Sequence, residues 1–255
     1  MRLGFVGTGN ITEAIVTGLC TSSTPPGEIW VSPRNREKAD SLASNYRGVV
    51  NVANANQTVL DNCDVVFLAI LPQHKEEILP SLVFREDHIV VHLLAGTTIP
   101  EMVPLVKPAW RIVRAVPLPC TAIHVGPIAV FPDHEVVSSL FDPLGTVIAV
   151  DEEAKLETLA IITALLAPYY AMVETVVNWG EKQGIDRKDA ASYTASMFGA
   201  LSVIAQSRAD GDLATLKKEC MTPGGLNALA MEIIDSKGGF ENIIPALEAV
   251  KEKVS

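Results

Sequence analysis

The feature that most constrains the fold is a glycine turn close to the amino terminus. The apolar run 2–6 predicts a short strand, which leads through Gly7 and Gly9 into the start of a helix. Such a unit points unpaired backbone N–H groups and the positive end of a helix dipole at one place. Gly7 allows the tight turn, and Gly9 lets a pyrophosphate approach the backbone. The turn predicts a dinucleotide site, with contacts from Gly7, Thr8, Gly9, Asn10 and Ile11.

Thr12 occupies the place of the usual third small residue of the dinucleotide fingerprint, which gives G-x-G-x-x-T. A G-x-G alone is common, so a plain tight turn between a strand and a helix is the alternative interpretation. The position of this turn inside a strand–helix unit favours the dinucleotide.

Composition argues against several classes of protein. With 255 residues, 48% of them hydrophobic, the chain predicts a compact fold of one large or two modest domains. The net charge of −10 argues against a nucleic-acid or anionic-membrane partner, because either needs clustered Lys and Arg. Four cysteines without a C-x-x-C pair and five histidines without metal-ligand spacing predict reduced thiols and no metal site. A strand that starts at residue 2 predicts no signal peptide and a cytoplasmic protein.

The segment 158–173 is uncharged and mostly apolar. It is broken by Pro168 and is shorter than the roughly 20 residues that span a bilayer. We therefore expect a buried or subunit-interface helix and no membrane partner.

Residues 1–150 alternate apolar runs with helix-like stretches, and near-continuous Val, Ile and Leu runs favour parallel strands covered on both faces. The predicted strands are 2–6, 28–32, 65–70, 88–94 and 111–116, with edge strands at 128–131 and 146–150. The predicted crossover helices are 36–45, 73–82 and 100–106. This βαβαβ pattern predicts an α/β dinucleotide-binding domain with a doubly wound, Rossmann-type sheet.

Residues 151–255 have helical periodicity and predict a second, all-helical domain. A helix is predicted to start near Asp186, with Tyr193, Met197 and Leu201 on one apolar stripe. Thr222-Pro223-Gly224-Gly225 precedes another predicted helix. These apolar faces exceed what about 100 residues bury easily, so we expect a homodimer or a higher oligomer.

The end of the second predicted strand bears on the choice of cofactor. An NAD-selective site places an acid there, whereas this chain reads Ser32-Pro33-Arg34-Asn35-Arg36. A hydroxyl and two guanidinium groups suit a 2′-phosphate, which predicts NADPH bound by Ser32, Arg34, Asn35 and Arg36. Two solvated loop arginines are the alternative interpretation.

Five segments, in order and spacing, resemble the pyrroline-5-carboxylate reductase family over nearly the whole chain. They are Gly7–Ile11, Ala69–Gln73, Leu94–Gly96, Arg114–Pro117 and Thr222–Asn227. The resemblance implies hydride transfer from C4 of NADPH to the carbon of a C=N bond in a small cyclic imine. It also implies an interlocked dimer, and substrate contacts at Pro117, Thr222, Gly224, Gly225, Leu226 and Asn227. The further cofactor contacts that it implies are at Asn56, Ala69, Ile70, Leu71, Pro72, Gln73, Ala95 and Gly96.

Several positions depart from the family pattern. Leu71 replaces a lysine, Leu118 replaces an asparagine, and Ala164–Tyr170 lacks the hydroxyls and glycines of S-G-S-G-P-A-Y. Leu226 and Asn227 replace two threonines. No proton donor is assigned from the sequence, and water or a pre-protonated iminium could supply the proton. The weak candidates for catalysis are Tyr170, Asn227 and Asp210.

Other interpretations stay open at this point. A 3-hydroxyacid dehydrogenase would need a lysine on the first interdomain helix, and 158–173 contains none. A deazaflavin-dependent NADP oxidoreductase shares the first domain but does not need T-P-G-G. A non-catalytic NADPH-binding regulatory protein would explain the lost hydroxyls.

Overall fold

The computed structural model describes residues 1–208 and 211–254. Two compact units divide the chain: one contains Met1–Ala160 together with Val254, and the other is Ile161–Lys253. We call them the sheet unit and the helical unit. The predicted domain boundary after residue 150 stays a prediction.

The sheet unit contains eight strands in one sheet. They are β1 Leu3–Val6, β2 Ile29–Val31, β3 Val50–Val52, β4 Val65–Leu68, β5 Ile89–His92, β6 Arg111–Val116, β7 Pro127–Phe131 and β8 Thr146–Ala149. Their order across the sheet is β3-β2-β1-β4-β5-β6-β7-β8, with β1 to β6 parallel. The chain order reverses beside β1, and in such sheets ligands bind outside the carboxyl ends of the strands at that switch point.

Helices and short 3₁₀ turns connect these strands. The helices of this part of the chain are α1 Asn10–Thr21, α2 Arg36–Asn45, α3 Asn56–Asn62, α4 Lys75–Ile78, α5 Ile99–Met102, α6 Glu135–Phe141 and α7 Glu153–Ile162. The 3₁₀ turns are Pro72–His74, Leu79–Ser81, Val103–Leu105, Pro119–Ile123 and Asp142–Leu144.

The sheet is buried on both faces, which is why its strands are almost continuously apolar. Phe5 and Phe67 stack on one face with ring centroids 4.5 Å apart, and Phe141 packs edge-on against Phe67. Val6 and Leu68 belong to a separate buried cluster on the opposite face. The predicted α/β class is therefore observed, with the glycine turn at the switch point of the sheet.

Three details differ from the predicted elements. Strand β3 and helix α3 were not expected, because β3 is only three residues long with Asn51 at its centre. Strand β7 is not at an edge: it lies between β6 and β8 and runs antiparallel to β6. Only β8 of the two predicted edge strands is at an edge.

The helical unit contains five helices among its described residues. They are α8 Leu166–Lys182, α9 Arg187–Gln206, α10 Leu213–Cys220, α11 Leu226–Ser236 and α12 Ile243–Val254, the last of which ends in the sheet unit. A 3₁₀ turn, Thr163–Leu165, joins α7 to α8, and Pro168 falls in the first turn of α8, where it costs no helix hydrogen bond.

The run from Glu153 to Lys182 is long and apolar enough to cross a membrane by length and composition, with a mean hydropathy of 1.6. Only 11% of its most apolar window is buried within the chain. The prediction of a helix buried within one chain is therefore wrong for this segment. The alternative, a helix at a subunit interface, stays a prediction.

Candidate active site

Gly7 forms the tight turn at the carboxyl end of β1. Its φ is +101°, and a Cβ atom there would lie 2.3 Å from the carbonyl oxygen of Ala69, which follows β4. The adjacent strand therefore leaves no room for any side chain. Only glycine satisfies both the backbone angle and this approach.

Gly9 precedes α1 and has a different environment. A Cβ atom built on Gly9 would meet no heavy atom within 4 Å, so open space adjoins the backbone there. Gly9 caps α1 without a side-chain hydrogen bond, which leaves the first N–H groups of the helix available. A close-fitting turn beside an open helix N-terminus is a cradle that suits a pyrophosphate, and these residues fit a dinucleotide.

Thr12 explains the departure from the glycine fingerprint. Its side chain is fully buried, and its Oγ1 donates a 2.6 Å hydrogen bond to the carbonyl oxygen of Gly7. The third position thus ties the helix to the turn by a hydrogen bond instead of by close packing of a glycine.

Ser32 has a role other than the predicted one. Its Oγ accepts a 2.8 Å hydrogen bond from the N–H of Gly7 and lies 3.1 Å from Oγ1 of Thr8, and both side chains are buried. Thr8 also donates to the carbonyl oxygen of Ser32. The geometry does not support direct contact of Ser32 with a 2′-phosphate; the residue holds the turn against β2.

The three polar residues after Pro33 differ in whether their side chains already bind another residue. Asn35 caps α2, since its Oδ1 accepts from the N–H of Lys38. Arg36 pairs with Asp40 at 3.0 Å. Arg34 is exposed, and it forms no ion pair with any other residue that the structure describes. Of the predicted phosphate ligands, Arg34 is the one with an uncommitted charge.

The remaining predicted cofactor residues come after parallel strands, so they share one edge of the sheet with the glycine turn. Asn56 opens α3, Pro72 opens a 3₁₀ turn, and Gly96 follows β5 with a φ of +62°. Leu71 is exposed, whereas the side chain of Ile70 is buried and could contribute only its backbone. The other residues of this set are Ala69, Gln73 and Ala95, and their contacts stay predictions.

A buried ion-pair cluster next to this edge was not foreseen. Arg114 on β6 is only 2% exposed and donates to Glu153 and Glu157, which lie one turn apart on α7. Glu153 also accepts a 2.9 Å hydrogen bond from the N–H of Ile99 at the start of α5. The available signal was an arginine inside an apolar strand together with two acids spaced i, i+4.

His92 is the register partner of Arg114 across β5 and β6. It is fully buried, and neither ring nitrogen hydrogen-bonds to another described residue. Burial, followed by the charges of Arg114 and Lys75, lowers the pKa of His92 to about 3. The imidazole is therefore neutral at physiological pH.

In the helical unit, the predicted substrate residues lie in and after a turn. The N–H of Gly225 donates to the carbonyl oxygen of Thr222 at 2.8 Å, and Gly224 has a φ of +73°. Asn227 donates from Nδ2 to the carbonyl oxygen of Cys220 at 3.2 Å. Leu226 begins α11 and is 87% exposed.

The candidates for catalysis are not brought into a reactive arrangement by the described geometry. Tyr170 is 67% exposed on α8, with its ring 5.4 Å from that of Tyr169. Asp210 lies outside the described residues. In the sheet unit, Pro117 is buried directly after β6. Over residues 1–208 and 211–254, no cluster of three or more His, Cys, Asp or Glu side chains is arranged to hold a metal ion.

Comparison with known proteins matches both parts of the chain. A model of the family described as NADP oxidoreductase coenzyme F420-dependent matches residues 2–96, and the pyrroline-5-carboxylate reductase dimerisation model matches residues 153–255. The chain belongs to the pyrroline-5-carboxylate reductase family. The family and the NAD(P)-dependent oxidoreductase class predicted from the sequence are thereby confirmed.

Relatives support this family over full length. Pyrroline-5-carboxylate reductase of Escherichia coli is 25% identical, covering 99% of this chain and 96% of the relative. Pyrroline-5-carboxylate reductase 2 of Bacillus subtilis is 26% identical, covering 99% and 93%.

Solved structures share the fold. The 1-pyrroline-5-carboxylate reductase of Streptococcus pyogenes has a TM-score of 0.86 at 20% identity, covering 100% of this chain and 98% of that one. The NADP-bound Plasmodium falciparum pyrroline carboxylate reductase has a TM-score of 0.85 at 18% identity, covering 100% and 97%. This chain has the fold of those proteins.

Proposed function

We propose that this protein is an NADPH-dependent reductase that converts a cyclic imine such as 1-pyrroline-5-carboxylate to the saturated amine, which for that substrate is proline. The observation that carries the proposal is the cradle at Gly7 and Gly9, in a chain that matches an NADP oxidoreductase model over 2–96 and the pyrroline-5-carboxylate reductase dimerisation model over 153–255. A dinucleotide bound there would supply the hydride.

The main contribution of the sheet unit is binding and orientation. Gly7, Thr8, Thr12 and Ser32 hold one another by hydrogen bonds, so the cradle is set before any ligand arrives. Its anion-binding groups are backbone N–H groups at the start of α1. This arrangement supports phosphate binding in a protein whose net charge is −10.

The preference for NADPH over NADH rests on Arg34. No acid follows β2, where an NAD-selective site would bind the ribose hydroxyls. Arg34 is exposed beside that strand end with its charge uncommitted, and a guanidinium group suits a 2′-phosphate.

Protonation of the imine nitrogen is assigned to solvent or to a substrate that arrives as the iminium ion. Tyr170 is 67% exposed in the single chain, and His92 is neutral and fully buried. A proton from water is available to any imine bound at an open edge of the sheet.

We also propose that the active form is an obligate homodimer. The matched dimerisation model covers 153–255, and the apolar stripe of α9 is exposed in the single chain, including Tyr193 at 74%. Leaving so much apolar surface in water is unfavourable, which supports its burial against a second copy. Light scattering at micromolar concentration tests this, and a monomer contradicts it.

A second candidate is a non-catalytic NADPH-binding protein, which the missing hydroxyls in 164–167 favour. The experiment that separates the two is NADPH oxidation at 340 nm with and without added 1-pyrroline-5-carboxylate or an uncharged cyclic imine, alongside NADPH binding by fluorescence. Turnover with any cyclic imine supports the reductase. Tight NADPH binding without turnover of any imine supports the second candidate, and no NADPH binding contradicts both.

A further inference from the structure

A dinucleotide with its 2′-phosphate at Arg34 would cross the edge of the sheet from β2 toward β5. Strand β2 lies on one side of β1, and β4 and β5 lie in succession on the other side. In sheets of this kind a dinucleotide spans the switch point, with its pyrophosphate at the glycine turn after the first strand. Its nicotinamide half would therefore lie at the carboxyl ends of β4 and β5, beside the loops 69–74 and 93–98.

The loop after β4 has little apolar packing of its own. Ile70 and Leu79 are buried, but none of the side chains between them is, and Leu71 is exposed. A segment that buries so few side chains opens locally at low cost. Lys75 is the only lysine or arginine in the segment 69–78, since Leu71 stands where the family has a lysine.

Lys75 ties this loop to the neighbouring one. Its side chain is only 15% exposed, and its Nζ donates to Glu101 at 3.1 Å and to Thr97 at 3.4 Å. Thr97 is fully buried in the loop after β5. Among the residues that the structure describes, no other side chain forms a hydrogen bond or an ion pair between 69–82 and 93–106.

The loop after β5 is the fixed partner in this contact. Glu101 accepts hydrogen bonds from the N–H of Thr98 at 2.7 Å and from its hydroxyl at 3.0 Å, which closes a capping box at the start of α5. The N–H of Ile99 donates to Glu153, which belongs to the buried ion-pair cluster. The hydrogen bond from Thr98, and after it the one from Lys75, lowers the pKa of Glu101, so its carboxylate is charged at neutral pH.

We infer that Lys75 is a positioning residue for the nicotinamide half of the cofactor, because it holds the loop 69–74 against the anchored loop 93–98. This inference rests on the proposed binding of NADPH and adds a residue that acts through the loops without touching the cofactor. Without Lys75, the loop 69–74 would have to be ordered when the nicotinamide half binds, and that cost would be lost from the affinity. The adenosine half, at the ends of β1 and β2, does not depend on this loop.

The test compares NADPH with adenosine 2′,5′-bisphosphate, which carries the adenine, the ribose and the 2′-phosphate but no nicotinamide. On the full chain, Lys75→Met should weaken NADPH binding about tenfold and bisphosphate binding by less than about twofold, as expected for the loss of one charge-assisted hydrogen bond that orders only the nicotinamide side. Calorimetry with each ligand measures the ratio of the two dissociation constants.

The outcomes of this comparison separate the inference from the proposed function. An equal loss of affinity for both ligands would make Lys75 a merely structural residue and overturn the inference, and so would unchanged NADPH affinity. Either result leaves NADPH binding by the unaltered protein standing. Failure of the unaltered protein to bind NADPH would overturn the proposed function and this inference together.

Two further variants show whether the ion pair is responsible. Lys75→Arg keeps the charge and should restore most of the ratio. Glu101→Gln removes the charge that Lys75 binds but can still cap α5, so it should shift the ratio in the same direction as Lys75→Met. Glu101→Gln also supplies the readout should Lys75→Met fail to fold. The double variant should lose no more NADPH affinity than Lys75→Met alone, and additive losses would overturn the inference.

Lys155→Met is the matched control. Lys155 pairs with Asp151 at 2.7 Å in the same unit, but its side chain is 52% exposed and the pair lies within one turn of chain. The ratio of the dissociation constants should therefore stay unchanged in this variant. A shift as large as that in Lys75→Met would overturn the assignment to the contact between the two loops.

Discussion

The sheet unit and the helical unit differ in how far they bury their apolar side chains. In the sheet unit, strand residues fill two buried clusters, one on each face of the sheet. In the helical unit, long apolar side chains such as Trp179, Tyr193 and Ile244 stay more than 60% exposed. The first unit can therefore hold a preformed ligand cradle by itself, whereas the second needs another apolar surface to complete its packing.

The same contrast applies to ion pairs. Arg114 in the sheet unit and Arg187 in the helical unit each bind two glutamates. Arg114 is 2% exposed and Arg187 is 50% exposed. An arginine paired with two glutamates thus occurs once in a buried and once in an exposed environment. Substituting each arginine therefore compares the contribution of this ion-pair cluster to stability in the two units.

The largest expected effect is on stability. Arg114→Met should lower the free energy of unfolding by about 3–5 kcal/mol, because it leaves Glu153 and Glu157 without their cation in a mostly buried setting. Arg187→Met is the matched control, and its loss of stability should be far smaller, since its ion pairs are exposed to solvent. Urea unfolding of both variants measures this. Equal losses of unfolding free energy in the two variants would contradict the claim that burial makes the Arg114 cluster more important for stability than the Arg187 cluster.

The second effect separates the two glycines of the turn. Gly7→Ala should reduce NADPH affinity about 100-fold and destabilise the fold by about 2 kcal/mol or more, because of its positive φ and the approach of Ala69. Gly9→Ala should leave the melting temperature unchanged and weaken NADPH binding about tenfold, since its Cβ would occupy the open cradle. Fluorescence titration and thermal unfolding distinguish them. Unchanged affinity in Gly9→Ala would argue against a cofactor at the turn.

A smaller effect concerns cofactor choice. Arg34→Ala should weaken NADPH binding by about 10–100-fold, the range of a charge-assisted hydrogen bond, and leave NADH binding unchanged. Arg36→Ala serves as the control, because Arg36 is paired with Asp40. The ratio of the two dissociation constants is the quantity to measure. An equal loss for NADPH and NADH would contradict a 2′-phosphate contact.

The smallest effect is the pH dependence contributed by His92. Its folded pKa, about 3, is below the unfolded value of about 6.5, so the unfolded state binds the proton first as pH falls. Stability from this group is complete above pH 6.5 or so and is lost between there and about pH 3, with a slope of up to about 1.4 kcal/mol per pH unit.

His92→Leu tests this assignment. It removes two unpaired ring nitrogens, so stability at pH 7 should be equal or higher, and the fall between pH 6.5 and 4 should become shallower. Unfolding followed by circular dichroism across that range is the measurement. An unchanged slope would assign the acid sensitivity to carboxylates instead.

Local patterns predicted the sheet unit well. Continuous apolar runs identified β1, β4, β5 and β6, because strands buried on both faces leave a strong signal. The three-residue β3 left too weak a signal, and the antiparallel direction of β7 depends on its neighbours in the sheet.

The contacts that define the candidate site depend on residues far apart in the sequence. Ser32 and Gly7 are 25 residues apart, and Arg114 and Glu153 are 39 apart, so neither hydrogen bond can be predicted from local spacing. In the helical unit, periodicity located apolar faces correctly but could not tell a buried face from an exposed one. That distinction depends on what packs against the face.

The most direct test of the reductase proposal follows the hydride. Turnover of a cyclic imine with NADPH deuterated at the transferring C4 position should give an amine with one deuterium on the carbon of the former C=N bond, detected by mass spectrometry and NMR. An amine without deuterium, or bound NADPH that never yields an amine, would contradict reduction of a cyclic imine by this protein.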